Sequence, residues 1–249
     1  MRTVEAARYV TPLREGGSLP AIVEGDDQGL YVAKFRGAGQ GPRALIAELV
    51  AGEVARELGL DVPEIVFLTL EAELARSEPD PEIQELIRAS VGLNVALDYL
   101  PGSVAFDPVA EKPGADFASA LVWFDAFVAN IDRTVRNTNL LVWHGRTWLI
   151  DHGAALYVHH AGGDFAKRAG EPLVQVKDHV LLPFASRLRE ADERLAARLR
   201  PAAIARIAAL IPEDWLAEDV ERGTYARYLE ARLAPPRAFL EEAIRARAL

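Results

Sequence analysis

The sequence predicts an α+β protein built from two lobes, and three observations support this fold class. Short apolar runs separated by glycine-containing turns follow one another in residues 1–96, which is typical of β-strands. One helical pattern interrupts them, and a connector at 97–102 leads into an α-rich part at 103–249. A chain of 249 residues, half of them apolar, is long enough for a full hydrophobic core. We therefore expect a β-rich first lobe with one main helix, a hinge, and an α-rich second lobe.

The composition excludes several classes of protein. A net charge of −9 argues against an extended nucleic-acid surface, and the absence of cysteine excludes disulfides and thiolate metal sites. No apolar run approaches the length of a membrane span, and the N-terminus carries no apolar signal core, so we expect a cytoplasmic protein that does not cross a membrane. Arginine outnumbers lysine 24 to 4, which makes each lysine a distinctive feature.

The first predicted elements are strands within residues 11–37. Apolar runs alternate there with the turn sequences Gly-Gly and Asp-Asp-Gln-Gly. In the second strand, side chains two residues apart share a face, so Leu30, Val32 and Lys34 lie together.

A helix follows these strands. Pro42 suits the first helical turn, the apolar spacing over 43–60 is near 3.6 residues, and Gly59 is a suitable stop. Residues 62–70 then predict another strand. Residues 71–90 contain six acidic side chains and two prolines, and we expect an exposed excursion from the fold.

The next patterns are a strand at 92–104 that runs into a Pro-Gly turn, and an apolar helix at 117–130. The sequences LLVW and RTWL after this helix are short β patterns, and the His-Gly pair between them suits a two-residue hairpin turn. The C-terminal region is amphipathic and rich in arginine, which predicts a packed helical lobe rather than a membrane surface.

Polar side chains are concentrated at the two ends of this predicted hairpin. If the strands pair directly across the His-Gly turn, Asp151 folds back beside Asn137 and Asn139, and Asp132 lies five residues ahead of Asn137. Oxygen ligands gathered in this way suit a hard cation such as Mg²⁺ that also binds phosphate oxygens. The alternative is an Asx-rich turn that only caps the hairpin.

The order Asp-x4-Asn, hairpin, Asp-x-Gly is the catalytic arrangement of protein-kinase-like enzymes. Phosphoryl transfer explains why these residue types are needed together. One carboxylate must meet the acceptor hydroxyl, while an amide and a second carboxylate hold metal on the phosphates.

Three features nearer the N-terminus agree with this order. Lys34 lies in mid-strand, and its compact ammonium suits phosphate, although a solvated strand lysine is the alternative. Glu48 lies on the apolar side of the helix and is the expected partner of Lys34, with Glu53 as the rival and a solvated glutamate as the alternative for both. The Gly-containing turn at 14–20 could lay backbone N–H groups over phosphates, or could simply be a turn.

The chain resembles the HipA-like kinases. The resemblance runs through LYVAKF, AELVAGEVARELGLDVPEI, WFDAFVANIDRTVRNTNLLV and WLIDHGAALY, and covers most of residues 18–160. It implies a bilobal protein-kinase-like fold in which the first lobe carries the nucleotide cover, the lysine strand and a regulatory helix. His152 stands where protein kinases carry phenylalanine.

The resemblance also implies roles for individual residues. Asp132 would be the catalytic aspartate, and Asn137 and Asp151 would be the metal ligands. Lys34 would bind phosphate with Glu48 as its partner. Nucleotide contacts are expected from the cover at Gly16, Gly17 and Ser18 and from the connector at Leu97, Asp98 and Tyr99.

We therefore expect a kinase that transfers the γ-phosphoryl group of ATP, with Mg²⁺, to a hydroxyl acceptor. The acceptor is a protein Ser/Thr if the resemblance extends to the substrate, and a small polar molecule if it does not. The rival interpretations are a nucleotide-binding pseudokinase or scaffold, and a structural α+β protein with a polar hairpin. His159, His160 and His179 are interpreted as surface histidines rather than metal ligands.

Overall fold

The computed structural model describes residues 1–13, 19–39, 41–161 and 164–249. The nucleotide cover expected at Gly16, Gly17 and Ser18 lies outside these described residues. Strands and helices both contribute to the fold, so the predicted α+β class is confirmed.

The N-terminal strands form a closed barrel in the order β1-β2-β3-β5-β4. Its strands are β1 (Thr3–Pro12), β2 (Ala21–Gly25), β3 (Leu30–Lys34), β4 (Ile65–Leu70) and β5 (Gly92–Asp98). Neighbouring strands pair antiparallel, except that β1 and β4 pair parallel and close the barrel. The face of β3 that carries Tyr31 and Ala33 is buried in the barrel core. Lys34 lies on the opposite face, as the alternation predicted.

Strand β1 begins eight residues before the segment in which the first strand was expected. The burial of β1 explains why the sequence did not predict it. Most of its side chains are exposed or half-buried, and Val4 is its buried apolar residue. A strand that buries so little apolar surface gives a weak periodic signal.

Helix α1 (Pro42–Leu58) packs between the barrel and the helical part of the protein. It starts with proline in its first turn and ends at Gly59, whose φ is 81°, as predicted. The helix approaches β4 closely at Gly52, where a Cβ atom would lie 2.4 Å from the Cδ1 atom of Ile65. A side chain at this position would have to displace the end of the Ile65 side chain, so glycine lets α1 lie close to β4.

Residues 71–90 are not the exposed excursion that their acidic composition suggested. They form a 3₁₀ turn (Ala72–Ser77) and helix α2 (Pro81–Ala89), which is capped by Asp80 accepting a 3.0 Å hydrogen bond from the Glu82 N–H. Ile83 and Ile87, four residues apart, lie on one side of α2 and join the barrel core. The acidic side chains dominated the composition, but the helical spacing of these two isoleucines determined the packing.

The second half of the chain is mostly helical and surrounds helix α3 (Ala115–Phe127). Besides α3 it contains α4 (Tyr157–Ala161), α5 (Phe165–Ala169), α6 (Leu188–Ala196), α7 (Pro201–Ala208), α8 (Arg222–Leu233) and α9 (Ala238–Arg247). Trp123 of α3 stacks on Phe127 and meets Phe239 of α9 edge-on. The arginine-rich C-terminal region is thus packed, as predicted. Within the described ranges, no helix combines the length and the apolar character that crossing a membrane requires.

A small sheet connects the barrel to these helices. It contains β6 (Val104–Ala105), β7 (Leu140–Trp143) and β8 (Arg146–Leu149), in that order. Trp143 pairs with Arg146, so the predicted hairpin register is confirmed. The turn residues His144 and Gly145 have φ values of 48° and 71°, as a two-residue hairpin of this type requires.

Arg232 on α8 holds the C-terminal end of α3. Its side chain is buried and donates to the carbonyl oxygens of Ala126 and Phe127, both at 2.7 Å. It also donates to the carbonyl oxygens of Ala169 and Glu171 at 3.3 and 3.2 Å. One guanidinium therefore pairs with four carbonyl groups near the C-terminal end of α3, the helix that precedes the polar hairpin.

We expect Arg232→Met to lower the free energy of unfolding by about 3 kcal/mol or more, because each buried carbonyl left without a donor costs about 1–3 kcal/mol. Denaturant unfolding measures this loss. Arg227→Met on the same helix is the matched control, because Arg227 is exposed, and it should change stability by less than about 0.5 kcal/mol. A loss below about 1 kcal/mol for Arg232→Met would contradict the assigned role.

Candidate active site

Three charged side chains from separate elements meet at one edge of the barrel. Lys34 of β3 lies with its Nζ atom 2.7 Å from Oδ1 of Asp151, which follows β8, and 4.0 Å from Oε2 of Glu48 on α1. The structure places Glu48, and not Glu53, beside the lysine. Glu53 instead pairs with Arg56 on the outer side of α1, at 3.2 Å.

Burial and charge both act on this group of residues. The side chain of Glu48 is 1% exposed and that of Lys34 is 11% exposed. Burial alone would raise the pKa of Glu48, but the Lys34 charge and the hydrogen bonds from His152 outweigh it and hold that pKa well below its usual range. Burial would lower the pKa of Lys34, but Glu48 and Asp151 outweigh it and raise that pKa. Both groups are therefore charged at neutral pH.

His152 joins this group to the segment that follows the hairpin. Its backbone N–H donates to Oε2 of Glu48 at 3.0 Å, and its ring Nδ1 lies 3.3 Å from Oε1 of the same carboxylate. The ring also meets Phe124 of α3 edge-on. Sequence reasoning noted His152 only as a departure from phenylalanine, but the structure shows that it fixes the Asp-His-Gly segment to α1.

The two ends of the hairpin lie side by side. The Ile150 N–H donates to the Asn139 carbonyl at 3.1 Å, and the Asn139 side-chain amide donates to the Asp151 carbonyl at 3.5 Å. Asn139 and Asp151 both have left-handed backbones, with φ of 47° and 55°. Such conformations cost about 1–3 kcal/mol each and persist where the surroundings enforce them, often at functional sites.

Asp132 is oriented by two asparagines and keeps one oxygen free. Its Oδ2 atom accepts hydrogen bonds from Nδ2 of Asn137 at 2.8 Å and from Nδ2 of Asn139 at 3.4 Å. Its Oδ1 atom has no hydrogen-bond partner among the described residues. Burial and the negative charge of Asp151 raise the pKa of Asp132. Asp132 thus presents one carboxylate oxygen whose basicity is enhanced.

A buried carboxylate on α3 supports the loop at 132–139, which we call the catalytic loop after the role predicted for Asp132. Oδ2 of Asp125 accepts from Nε of Arg133 at 2.6 Å and from Nε2 of His179 at 2.9 Å, while its Oδ1 atom accepts from Asn130 at 2.8 Å. The Arg133 guanidinium also donates to the Asn139 carbonyl. The negative charge of Asp125 therefore holds both ends of the loop that carries Asp132.

The interpretation of the three histidines as surface residues is wrong. His159 and His179 are buried and His160 is half-buried. His179 binds Asp125, and the ring Nδ1 of His159 lies 3.3 Å from the hydroxyl of Tyr225. Burial, together with the adjacent His160, lowers the pKa of His159 to about 3, so this histidine is neutral in the packed interior. These are long-range contacts that local sequence patterns do not reveal.

A cleft of about 870 Å³ opens between the barrel and the hairpin. Its lining includes Lys34, Asn137, Asn139, Asp151 and the connector residues Leu97, Asp98, Tyr99 and Leu100. This volume lies within the range of small-molecule and cofactor sites. The structure therefore brings together the lysine, the hairpin residues and the connector that the sequence singled out.

The connector offers fewer free N–H donors than expected. The Asp98 N–H donates to the Glu64 carbonyl at 2.8 Å, and the Tyr99 N–H donates to the Leu30 carbonyl at 2.9 Å. The Leu100 N–H has no partner within the described part of the chain, and Leu100 lines the cleft. Sequence reasoning did not single out Leu100, because no residue pattern indicates which amide the barrel strands leave unpaired.

Comparisons with known proteins identify relatives. A family model described as HipA-like kinase matches residues 7–234. The crystal structure of a Helicobacter pylori proinflammatory kinase, CtkA, is similar with a TM-score of 0.58 at 14% identity, over 99% of this chain and 98% of that one. The Golgi casein kinase with Mn/ADP bound is similar with a TM-score of 0.60 at 11% identity, over 98% of this chain and 74% of that one. No curated protein matches the sequence. The predicted kinase-like fold is therefore confirmed.

We expect the stabilising effect of the Glu48 charge to depend on pH. Its pKa in the folded protein is about 2, below the ordinary value of 4.5, so this contribution is present above pH 4.5 and is lost as the pH falls toward 2. The shift corresponds to roughly 3 kcal/mol. Urea unfolding of wild type and Glu48→Gln should therefore show a gap at pH 7 that shrinks steadily below pH 4.5.

Asp125 titrates in the same range, but it is present in both proteins and cancels in their difference. A gap between wild type and Glu48→Gln that stays constant from pH 7 to pH 3 would contradict the charge argument. Such a result would mean that the substitution acts by packing alone.

Proposed function

The chain belongs to the HipA-like kinase family, and we propose that it transfers the γ-phosphoryl group of ATP to the hydroxyl of a protein serine or threonine, with Mg²⁺. Membership of this family makes the protein a phosphotransferase. The observation that best supports the finer proposal is the convergence of Lys34, Asn137 and Asp151 on one cleft, with Asp132 hydrogen bonded to Asn137.

We place the nucleotide between a first lobe at 1–96 and a second lobe at 103–249, with 97–102 as the hinge. Adenine would lie against the connector, where Leu97, Asp98 and Tyr99 line the cleft. The backbone N–H that remains available to the adenine ring in this part of the described structure is that of Leu100, since those of Asp98 and Tyr99 are already paired.

The donor set of the hairpin fits Mg²⁺. Oδ2 of Asp151 and Oδ1 of Asn137 have no hydrogen-bond partner among the described residues, and both residues line the cleft. Mg²⁺ characteristically takes one or two protein oxygens and completes its coordination with water and substrate phosphates. Bound there, the cation would neutralise negative charge on the phosphates. The similar Golgi casein kinase was crystallised with Mn and ADP, which supports the use of a nucleotide and a divalent cation.

Lys34 would bind the phosphates directly. Glu48 of α1 lies 4.0 Å from its ammonium, and the lysine faces the cleft beside Asp151. Because the pKa of Lys34 is raised, the ammonium stays protonated and carries a full positive charge. Positive charge fixed at this position stabilises the transferring group without reorganisation during the reaction.

The free oxygen of Asp132 would receive the acceptor proton. As the acceptor oxygen forms its bond to the γ-phosphorus, the bond from that phosphorus to the β–γ bridging oxygen breaks and ADP leaves. The hydroxyl proton passes to Oδ1 of Asp132, while Asn137 and Asn139 hold Oδ2. A carboxylate in this position typically contributes about 10²–10⁴-fold to the rate.

We expect Asp132→Asn to lower phosphoryl transfer by about 10²–10⁴-fold and to leave ATP affinity nearly unchanged, because the residue acts on the acceptor. The measurement is turnover of labelled ATP beside calorimetric titration. Asp219→Asn, which changes an exposed aspartate outside the cleft lining, is the control. Unchanged turnover in Asp132→Asn would refute the assignment, and wild type that binds ATP without any transfer would favour a pseudokinase.

We expect Asp151→Asn to weaken ATP binding in the presence of Mg²⁺ by at least about tenfold, or about 1.4 kcal/mol, and to have little effect in the presence of EDTA. The substitution is isosteric and removes the metal-binding charge. Asp61→Asn is the matched control, because Asp61 also contacts the hairpin, through Arg146, but lies outside the cleft lining. Equal ATP affinity for wild type and Asp151→Asn with Mg²⁺ would remove Asp151 from the metal site.

A further inference from the structure

A groove of about 800 Å³ lies beside the catalytic loop. One wall is formed by residues 134–136 of the loop itself, a second by residues 177–183, and a third by the end of α9. The first two walls are directly connected, because Thr134 forms a β-bridge with His179 and the Val180 N–H donates to the Arg133 carbonyl at 3.1 Å. The groove is therefore held in a fixed position relative to Asp132.

The groove is positively charged in an acidic protein. Arg136, Lys177 and Arg247 line it, so three cationic side chains face one acidic side chain, that of Asp178. Within the described residues, none of the three cations takes part in a hydrogen bond or an ion pair. The whole chain has a net charge of −9, and many of its arginines are paired with carboxylates, as Arg187 is with Asp116 at 2.8 Å. Cations left unpaired in one groove favour a negatively charged partner.

The groove adjoins the cleft in which we place the nucleotide. Arg136 lines both the groove and the cleft that contains Lys34 and Asp151. A molecule that occupied the groove would reach the catalytic loop at its Arg136 end. This continuity points to the acceptor of phosphoryl transfer rather than to an unrelated ligand.

The walls of the groove suit a polypeptide segment. Val135 in the loop is 77% exposed, and the exposed Pro183 adds apolar surface from the second wall. A large apolar side chain this exposed within a fixed loop is available for contact with a partner. The cations of the groove are separated by apolar surface. A peptide of several residues can contact all of them, whereas a compact anion cannot.

We propose that this groove binds the acceptor as an extended acidic polypeptide segment. The acceptor hydroxyl would lie at the Arg136 end, and acidic side chains of the segment would lie beside Lys177 and Arg247. The assignment of the segment as the acceptor rests on the proposed function, but the binding of an acidic segment does not.

Binding of labelled peptides tests the groove directly. The probes are a fluorescein-labelled peptide with one serine among glutamates and alanines, and a matched peptide in which lysines replace the glutamates. Fluorescence anisotropy with wild type should give tighter binding of the acidic peptide, weakening as salt is raised. The double variant Lys177→Glu/Arg247→Glu should raise the Kd of the acidic peptide by about tenfold, since exposed charge pairs contribute modestly and two are reversed.

The matched control is Lys167→Glu/Arg227→Glu, which makes the same change of charge at exposed positions outside the groove lining. Thermal unfolding and ATP titration should be unchanged in both variants. Equal weakening in the two variants would overturn the proposal, because it would show an effect of net charge alone. Wild type that binds the acidic peptide no more tightly than the basic one would overturn it as well.

Transfer from labelled ATP to the same peptides separates this inference from the proposed function. A higher kcat/KM for the acidic peptide, lost in the groove variant and kept in the control, is the expected result. Groove-dependent binding of the acidic peptide without transfer would contradict the proposed function and leave the binding site intact. Transfer with no preference between the peptides would uphold the kinase and overturn the acidic groove.

Discussion

The arrangement of the cleft depends on one buried carboxylate, that of Glu48. An ion removed from water without a partner costs several kcal/mol, so its surroundings must supply compensating charge and hydrogen bonds. Lys34 supplies the charge, and His152 supplies hydrogen bonds from its backbone and its ring. These partners belong to the barrel and to the segment after the hairpin, while Glu48 itself belongs to α1. The contacts that compensate the Glu48 charge thus fix α1, the barrel and the segment after the hairpin relative to one another. They also leave Lys34 facing the cleft.

Asp125 is a second buried carboxylate whose partners fix elements of the site. It binds Arg133 and His179 in the interior, and through them it holds the catalytic loop against α3 and against the 177–183 wall of the groove. The left-handed backbones of Asn139 and Asp151 are maintained within this framework. Because the loop is fixed by groups that no ligand needs to touch, the free oxygens of Asp132 and Asn137 remain available. Preorganisation of this kind is the main source of electrostatic catalysis.

Local features of the site could be predicted from the sequence, and long-range ones could not. The register that returns Asp151 to Asn137 followed from a two-residue turn, and the choice of Glu48 over Glu53 followed from helical spacing. The contact between Asp125 and His179 spans 54 residues, and no periodic pattern indicates it. In residues 71–90 the acidic composition hid the apolar spacing that packs α2 on the barrel. The groove could not be predicted either, because its walls come from three separate segments.

We propose that pairing with Glu48 presents Lys34 to nucleotide phosphates, while Asp151 binds the metal. A crystal structure with Mg²⁺ and a non-hydrolysable ATP analogue tests it most directly. We expect Lys34 to keep its pairing with Glu48 and to donate to a phosphate oxygen, while Asp151 and Asn137 coordinate the cation. A nucleotide bound outside the cleft would contradict the claim, and so would a nucleotide bound there without contact to Lys34 and Asp151.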